Sequence, residues 1–236
     1  MTPLLARSGA QFGNPGPPPP LTSERYARAF EEVKSLGSAG STARTPDQTA
    51  TALFFSGNAT VQYIAALVDQ MNVRSMDIVD AARLFAAVDM SMADAVISVW
   101  HAKLQYGFWR PITAINLADT DGNPATTADA TWVPLLVTPP YPEYVSGYSG
   151  VTGAFVEALA KTLGTPHLQL TLISTAVPGV TFHYDSAKAL ADDVISARVW
   201  LGIHFRFADT DGVKMGRHVG SWALGHYFKL VGGVDD

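Results

Sequence analysis

Three cationic side chains, Lys103, Arg110 and Arg198, stand in otherwise apolar stretches. With the Ser146-Gly147 pair and His204 they form a set suited to a multiply charged oxyanion. Lys103 follows Val99, Val96 and Met92 by four, seven and eleven residues, so its stem falls on the apolar stripe of a long helix. There it either snorkels from a helix end or meets an anionic partner. Arg110 precedes Pro111, where a helix breaks and the side chain can turn inward. Arg198 shares its stripe with Val194 and Leu201, and a guanidinium on such a face calls for a bidentate acceptor. Ser146-Gly147 directly precedes a helical segment. It is either an ordinary N-cap and turn, or a place where free amides and the positive end of a helix dipole face an anion. His204 comes six residues after Arg198, which turns it to another face unless the chain bends at Gly202; alone, it reads equally well as a satisfied core histidine.

Helices must position these groups. The apolar spacing predicts helices over 22–36 and 61–71, and over 46–55 with Thr45 as N-cap and Pro46 in the first turn. The strongest pattern runs from 75 to 106 through Phe85, Val88, Met92, Val96 and Val99. Further helices are expected from Gly147 to Leu163, stopped by Gly164, from near Ser186 to Leu201, and from Val213 to Leu230. Strand alternation is scarce, so the expected fold class is all-α, a helical bundle. Residues 1–21 are expected to form an extended Pro-rich arm, and 22–236 a single helical domain. The pentapeptide Ala-Asp-Thr-Asp-Gly occurs at 118–122 and 208–212; without the full ligand ladder of a calcium loop, both copies read as helix-terminating turns.

Composition narrows the partners. The chain of 236 residues is 47% hydrophobic and 16% charged, which points to buried or oligomer-facing helices in one domain. A net charge of −5 without a basic block argues against nucleic acid and against an anionic membrane surface. No apolar run reaches the roughly 18 residues of a membrane span, and the absence of cysteine fits the cytoplasm.

Taken in order, Lys103, Trp109-Arg110-Pro111, Pro142-Glu143-Tyr144-Val145-Ser146-Gly147-Tyr148, Arg198 and Gly202-Ile203-His204-Phe205 resemble the three-part signature of the vanadium-dependent haloperoxidase and type 2 acid phosphatase superfamily. The flanking text is similar to bacterial haloperoxidase-like members over nearly the whole chain. The resemblance implies that Lys103, Arg110, Arg198, Ser146 and the Gly147 amide hold the equatorial oxygens of vanadate or phosphate, with His204 bonded to the central atom. With vanadate as cofactor the implied activity is halide oxidation by peroxide. With a phosphate ester it is hydrolysis through a phosphohistidine, and no cofactor is then implied. Trp100 and Tyr141 fall where the family places aromatic residues near the halide path, or they pack the approach loop.

Two departures stand out. Where the family has a second, acid/base histidine, this chain has Tyr148, a phenol with an unperturbed pKa near 10 and a poor reversible proton carrier. His183 is one candidate for supplying the proton instead. Another possibility is a substrate that needs no acid, such as a prenyl diphosphate handled by a lyase, and a third is a degenerate oxyanion-binding or interaction protein. Second, similar chains carry a long helical half ahead of the Gln11-Phe12 to Pro20 segment. A homodimer or a partner covering the exposed helices is therefore expected, beside a small-molecule substrate.

Overall fold

A computed structural model describes residues 1–229. Among them are eight α-helices and one antiparallel hairpin: α1 Glu24–Leu36, α2 Pro46–Phe54, α3 Ala59–Val73, α4 Ile78–Tyr106, α5 Pro111–Asn116, α6 Gly147–Leu163, β1 His167–Ile173, β2 Thr181–Ser186, α7 Ala187–Trp200 and α8 Arg206–His226. The helix ends follow from local chemistry. Thr45 and Gln48 form a reciprocal capping box on α2, with Pro46 where an amide is dispensable. Asp77 caps the start of α4. Gly107 (φ 56°) and Gly164 (φ 66°) end α4 and α6 in the left-handed conformation that glycine adopts without steric cost.

Helix α6 lies in close contact with α8, and glycine is what permits it. A Cβ on Gly216 would stand 1.9 Å from the Gly150 carbonyl oxygen, and one on Gly153 would stand 2.2 Å from that of Val213. The two backbones therefore touch, and the starts of both helices come together. The Ser146 amide donates to the Ala208 carbonyl at 3.1 Å, and the Ser149 hydroxyl donates to the Asp209 carboxylate at 2.8 Å. One apolar cluster gathers Tyr63, Leu84, Phe155, Leu159 and the buried faces of the hairpin. A second gathers Tyr26, Phe30, Tyr144, Phe205 and Met215. The cationic residues lie where these clusters meet, Val99 belonging to the second and Tyr148 packing on the first.

Three local expectations change. The bundle carries the hairpin at 167–186, whose first strand buries Leu168, Leu170 and Leu172 at period two. Helix α8 starts at Arg206, seven residues before Val213, so the second pentapeptide opens a helix instead of ending one; Asp209 sits in the first turn, where the dipole favours an acid. The expected end of that helix at Leu230 lies outside the described residues. The first pentapeptide does end a helix, as a 3-10 turn, Ala118–Thr120, after α5.

The arm before α1 is tied down by one carboxylate. Asp94, buried on α4, accepts the amides of Leu4, Leu5 and Ala6 at 2.6, 2.9 and 2.7 Å. Three charge-assisted bonds offset the desolvation of the acid and fix a segment whose described helical structure is one 3-10 turn, Gly9–Gln11. Asp94→Ala is expected to cost about 3 kcal/mol in urea denaturation and to open the arm to trypsin at Arg7. A variant that keeps both its stability and its resistance to cleavage would disprove the tie.

Candidate oxyanion site

Lys103 is supplied by the last turn of α4 and is almost wholly buried, at 1% exposure. Its Nζ donates to the Pro142 and Glu143 carbonyls at 2.7 and 2.8 Å, leaving the third proton uncommitted. Burial, and then the neighbouring Arg110 guanidinium, push the Lys103 pKa down to about 7.

His204 follows the bend at Gly202 (φ 76°) and is buried between two opposite charges. Its Nδ1 lies 2.9 Å from Glu143 Oε1, which also accepts the Phe205 amide at 2.9 Å. A carboxyl oxygen on Nδ1 places the imidazole proton there, so the Nε2 lone pair faces the opposite side. Arg110 Nη1 lies 3.1 Å from that Nε2 and also donates to the Ile203 carbonyl at 2.8 Å. Burial, with Arg110, Lys103 and Arg198 behind it, holds the His204 pKa well below its ordinary value, so the ring is neutral at neutral pH. Glu143 is fully buried, and burial pushes its carboxyl pKa up despite the nearby cations.

Arg198, on the last turn of α7, donates from Nη1 to the Phe55 carbonyl at 3.1 Å and lays its guanidinium over the Tyr148 ring, 4.8 Å from its centroid. That cation–π contact is stronger for being desolvated. The Tyr148 hydroxyl donates to Gln62 on α3, and Gln62 in turn donates to the Phe54 carbonyl at 3.2 Å. Burial raises the Tyr148 pKa above its usual value, opposed by Arg198.

These groups border a cavity of about 350 Å³ between α3, α4, α6 and the loop before α6. Lys103, Gly147, Tyr148, Arg198 and His204 line it, with Trp100 and Tyr141 at its mouth. Tyr141 packs edge-on against Trp100, with centroids 4.8 Å apart, and lies under Lys103 and Arg110 at 5.3 and 4.8 Å. The pocket-wall and packing roles weighed for these aromatics thus coincide. Arg110 and Ser146 stand one layer behind the wall. The Ser146 side chain caps α6 by accepting from Ser149, while the first-turn amides of that helix remain for another acceptor. The Tyr148 ring forms part of the wall and leaves the cavity open.

His183 does not belong to the site. It is exposed on β2 with its Nδ1 3.4 Å from the Thr171 hydroxyl, because strand alternation sends Phe182 and Tyr184 toward the core instead. Three residues that sequence reasoning gave no role are central. Glu143 orients His204. Asp209 sits fully buried behind Arg198 with its pKa raised to about 7, burial outweighing Ser146 and Arg198. Gln62 anchors Tyr148. Glu143 and Gln62 interrupt apolar neighbours, the signal that singled out Lys103 and Arg198, whereas Asp209 lies in the polar run Asp209-Thr210-Asp211 and gave no such signal.

Comparison with known proteins agrees with this fold. The profile of a family described as VCPO second helical-bundle domain matches residues 83–233. The chain is 26% identical, over an alignment 260 residues long, to Vanadium chloroperoxidase from Curvularia inaequalis, covering 80% of this chain and 42% of that protein. The solved structure of the first bacterial vanadium-dependent iodoperoxidase superposes with a TM-score of 0.81 at 28% identity, over 95% of this chain and 55% of that one. A holo-type bacterial vanadium-dependent chloroperoxidase shares the fold, with a TM-score of 0.74 at 18% identity over 95% of this chain and 53% of that one. The chain thus spans about half the length of these relatives. A helical bundle that brings Lys103, Arg198 and His204 to one cavity, and a family profile covering that region, lead to one assignment: the chain belongs to the vanadium chloroperoxidase second helical-bundle domain family.

Proposed function

We propose that this chain is a vanadium-haloperoxidase-like enzyme that binds vanadate in the cationic cavity and oxidises halide with peroxide. One observation carries the reading: buried N–H groups at the site lack acceptors. Arg110 Nη2 and Arg198 Nε have no hydrogen-bond partner among the described residues. Unpaired buried donors are costly, and an oxyanion is the acceptor that would satisfy them. The donor set fits the group. Lys103, Arg110, Arg198 and the Gly147 amide would hold its oxygens, and the His204 Nε2 lone pair is directed by Glu143 to hold its centre. When bound, vanadate supplies the activation of peroxide toward halide.

The rest is done by the chain. Arg110 occupies Nε2 and must release it when the anion enters. Lys103 is held partly neutral by burial, and an adjacent anion favours its charged form. Tyr148, hydrogen-bonded to Gln62 and with a raised pKa, keeps its proton and serves to support Arg198. Proton handling therefore differs from that of a site with histidine at this position. This weighs against hydrolysis of esters with poor leaving groups, where a general acid is worth about 10²–10⁴ in rate.

Calorimetric titration with orthovanadate and with orthophosphate tests the pocket. Vanadate is expected to bind more tightly than phosphate, and Arg198→Ala is expected to weaken both on the order of 100-fold, the scale of one lost charge-assisted bidentate contact. Bromide- and peroxide-dependent bromination of a dye then separates halide oxidation from phosphate release. If neither anion binds, the proposal falls.

A further inference from the structure

A second cavity, of about 440 Å³, is bordered by α3, α4 and α6. Ile64, Met92, Val96 and Val151 give it apolar surface, and Met1 of the arm also borders it. Its polar side chains are Thr60 and Asp89, and Asp89 is the one charged side chain among the described residues around it. The chain does not satisfy this acid. Asp89 Oδ1 is buried and has no hydrogen-bond partner among the described residues. Five positions further along the same helix, Asp94 accepts three backbone amides and has a structural task; Asp89 has none to match it. Burial raises the Asp89 pKa, so the carboxyl bears a desolvation cost that no donor offsets.

Charge separates the two cavities. Lys103 and Arg198 border the first and repel a cation, whereas no basic side chain among the described residues borders the second. A mainly apolar hollow with a few polar groups, within the roughly 300–1,000 Å³ of such sites, is the form that takes a small molecule. A lysine of a partner protein would bring the same charge. The wall is recessed, with Met92 and Val151 buried and Val96 half-buried, and that suits a ligand small enough to enter. We propose that this cavity binds a small organic amine in its ammonium form, whose N–H groups donate to Asp89 and whose hydrocarbon part packs on Ile64, Met92 and Val96. The site does not depend on how the anion cavity is read.

Hexylamine, protonated at neutral pH, and 1-hexanol are the probes, since they share a hydrocarbon chain and differ in charge. In calorimetric titration hexylamine is expected to bind on the order of 10-fold more tightly, the effect of one charge-assisted hydrogen bond. Asp89→Asn keeps the size of the side chain and is expected to erase that advantage. Ala93→Trp fills the cavity from a half-buried helix position and is expected to weaken both probes at least 10-fold. Thermal unfolding checks that each variant is folded. Excess orthovanadate is expected to leave hexylamine binding unchanged, because the anion belongs to the other cavity. Hexylamine bound no more tightly than hexanol, an advantage that survives Asp89→Asn, or displacement of the amine by orthovanadate each overturns the proposal. So does a dimer in sedimentation that Ala93→Trp dissociates, which would make the hollow an interface between copies.

Discussion

Glu143→Ala is expected to lower the unfolding free energy by about 3–5 kcal/mol, since two buried donors lose their acceptor at about 1–3 kcal/mol each. The magnitude follows from what the side chain holds. Oε1 accepts both the His204 Nδ1–H and the Phe205 amide, and all three groups are sealed from water. Truncation leaves two buried donors without an acceptor and removes the carboxylate that offsets Lys103 and Arg110. Glu143→Gln separates these contributions, since its amide oxygen can accept the same two N–H groups while the charge is lost. It is expected to cost less than half as much and to keep His204 protonated at Nδ1, readable in the nitrogen chemical shifts of that ring. Urea denaturation of both variants decides the matter. An alanine variant within about 1 kcal/mol of the parent, little more than a typical hydrogen bond, would show that Glu143 is a bystander.

Glu143 also marks the limit of what the sequence discloses. Period and caps are local properties, so α2, α6 and the end of α4 could be read almost to the residue: Thr45-Pro46 and Gly164 act on their own neighbours, while the Asp77 cap starts α4 three residues inside the expected bound at 75. Lys103, Arg198 and His204 were legible because each breaks an apolar run in a spacing shared with a known family. Their partners were not, because they meet only in three dimensions. Glu143 lies 61 positions from His204, and Gln62 lies 86 from Tyr148. The hairpin was legible in principle from Leu168, Leu170 and Leu172, but three alternating leucines are short beside the helical patterns on either side. The start of α8 was hidden for another reason: Gly212 and Gly216 have low helix propensity, yet close packing on α6 requires them there, and packing overrides propensity.

Packing also sets the terms of the remaining prediction, Tyr148→His, which is expected to raise bromination or phosphate release, whichever the scaffold supports, by about 10²-fold or more, the lower end of what a positioned general acid contributes. An imidazole at this position retains the place on the first turn of α6 facing the cavity, and its proton is exchangeable near neutral pH, unlike that of the phenol. The gain carries a structural cost. The ring beneath Arg198 becomes smaller, weakening the stack, and Gln62 Oε1 loses its donor in a buried position. A stability loss of about 1–3 kcal/mol is expected from that orphaned acceptor, so activity and unfolding free energy should move in opposite directions. Gln62→Leu in the same chain removes the orphan and should recover part of the stability while leaving the activity gain in place. If Tyr148→His is neutral or harmful to both activities while orthovanadate still binds, the tyrosine is not a defect in a haloperoxidase site. Arg198 would then be tuned by its aromatic support for chemistry in which the substrate, not the protein, disposes of the proton.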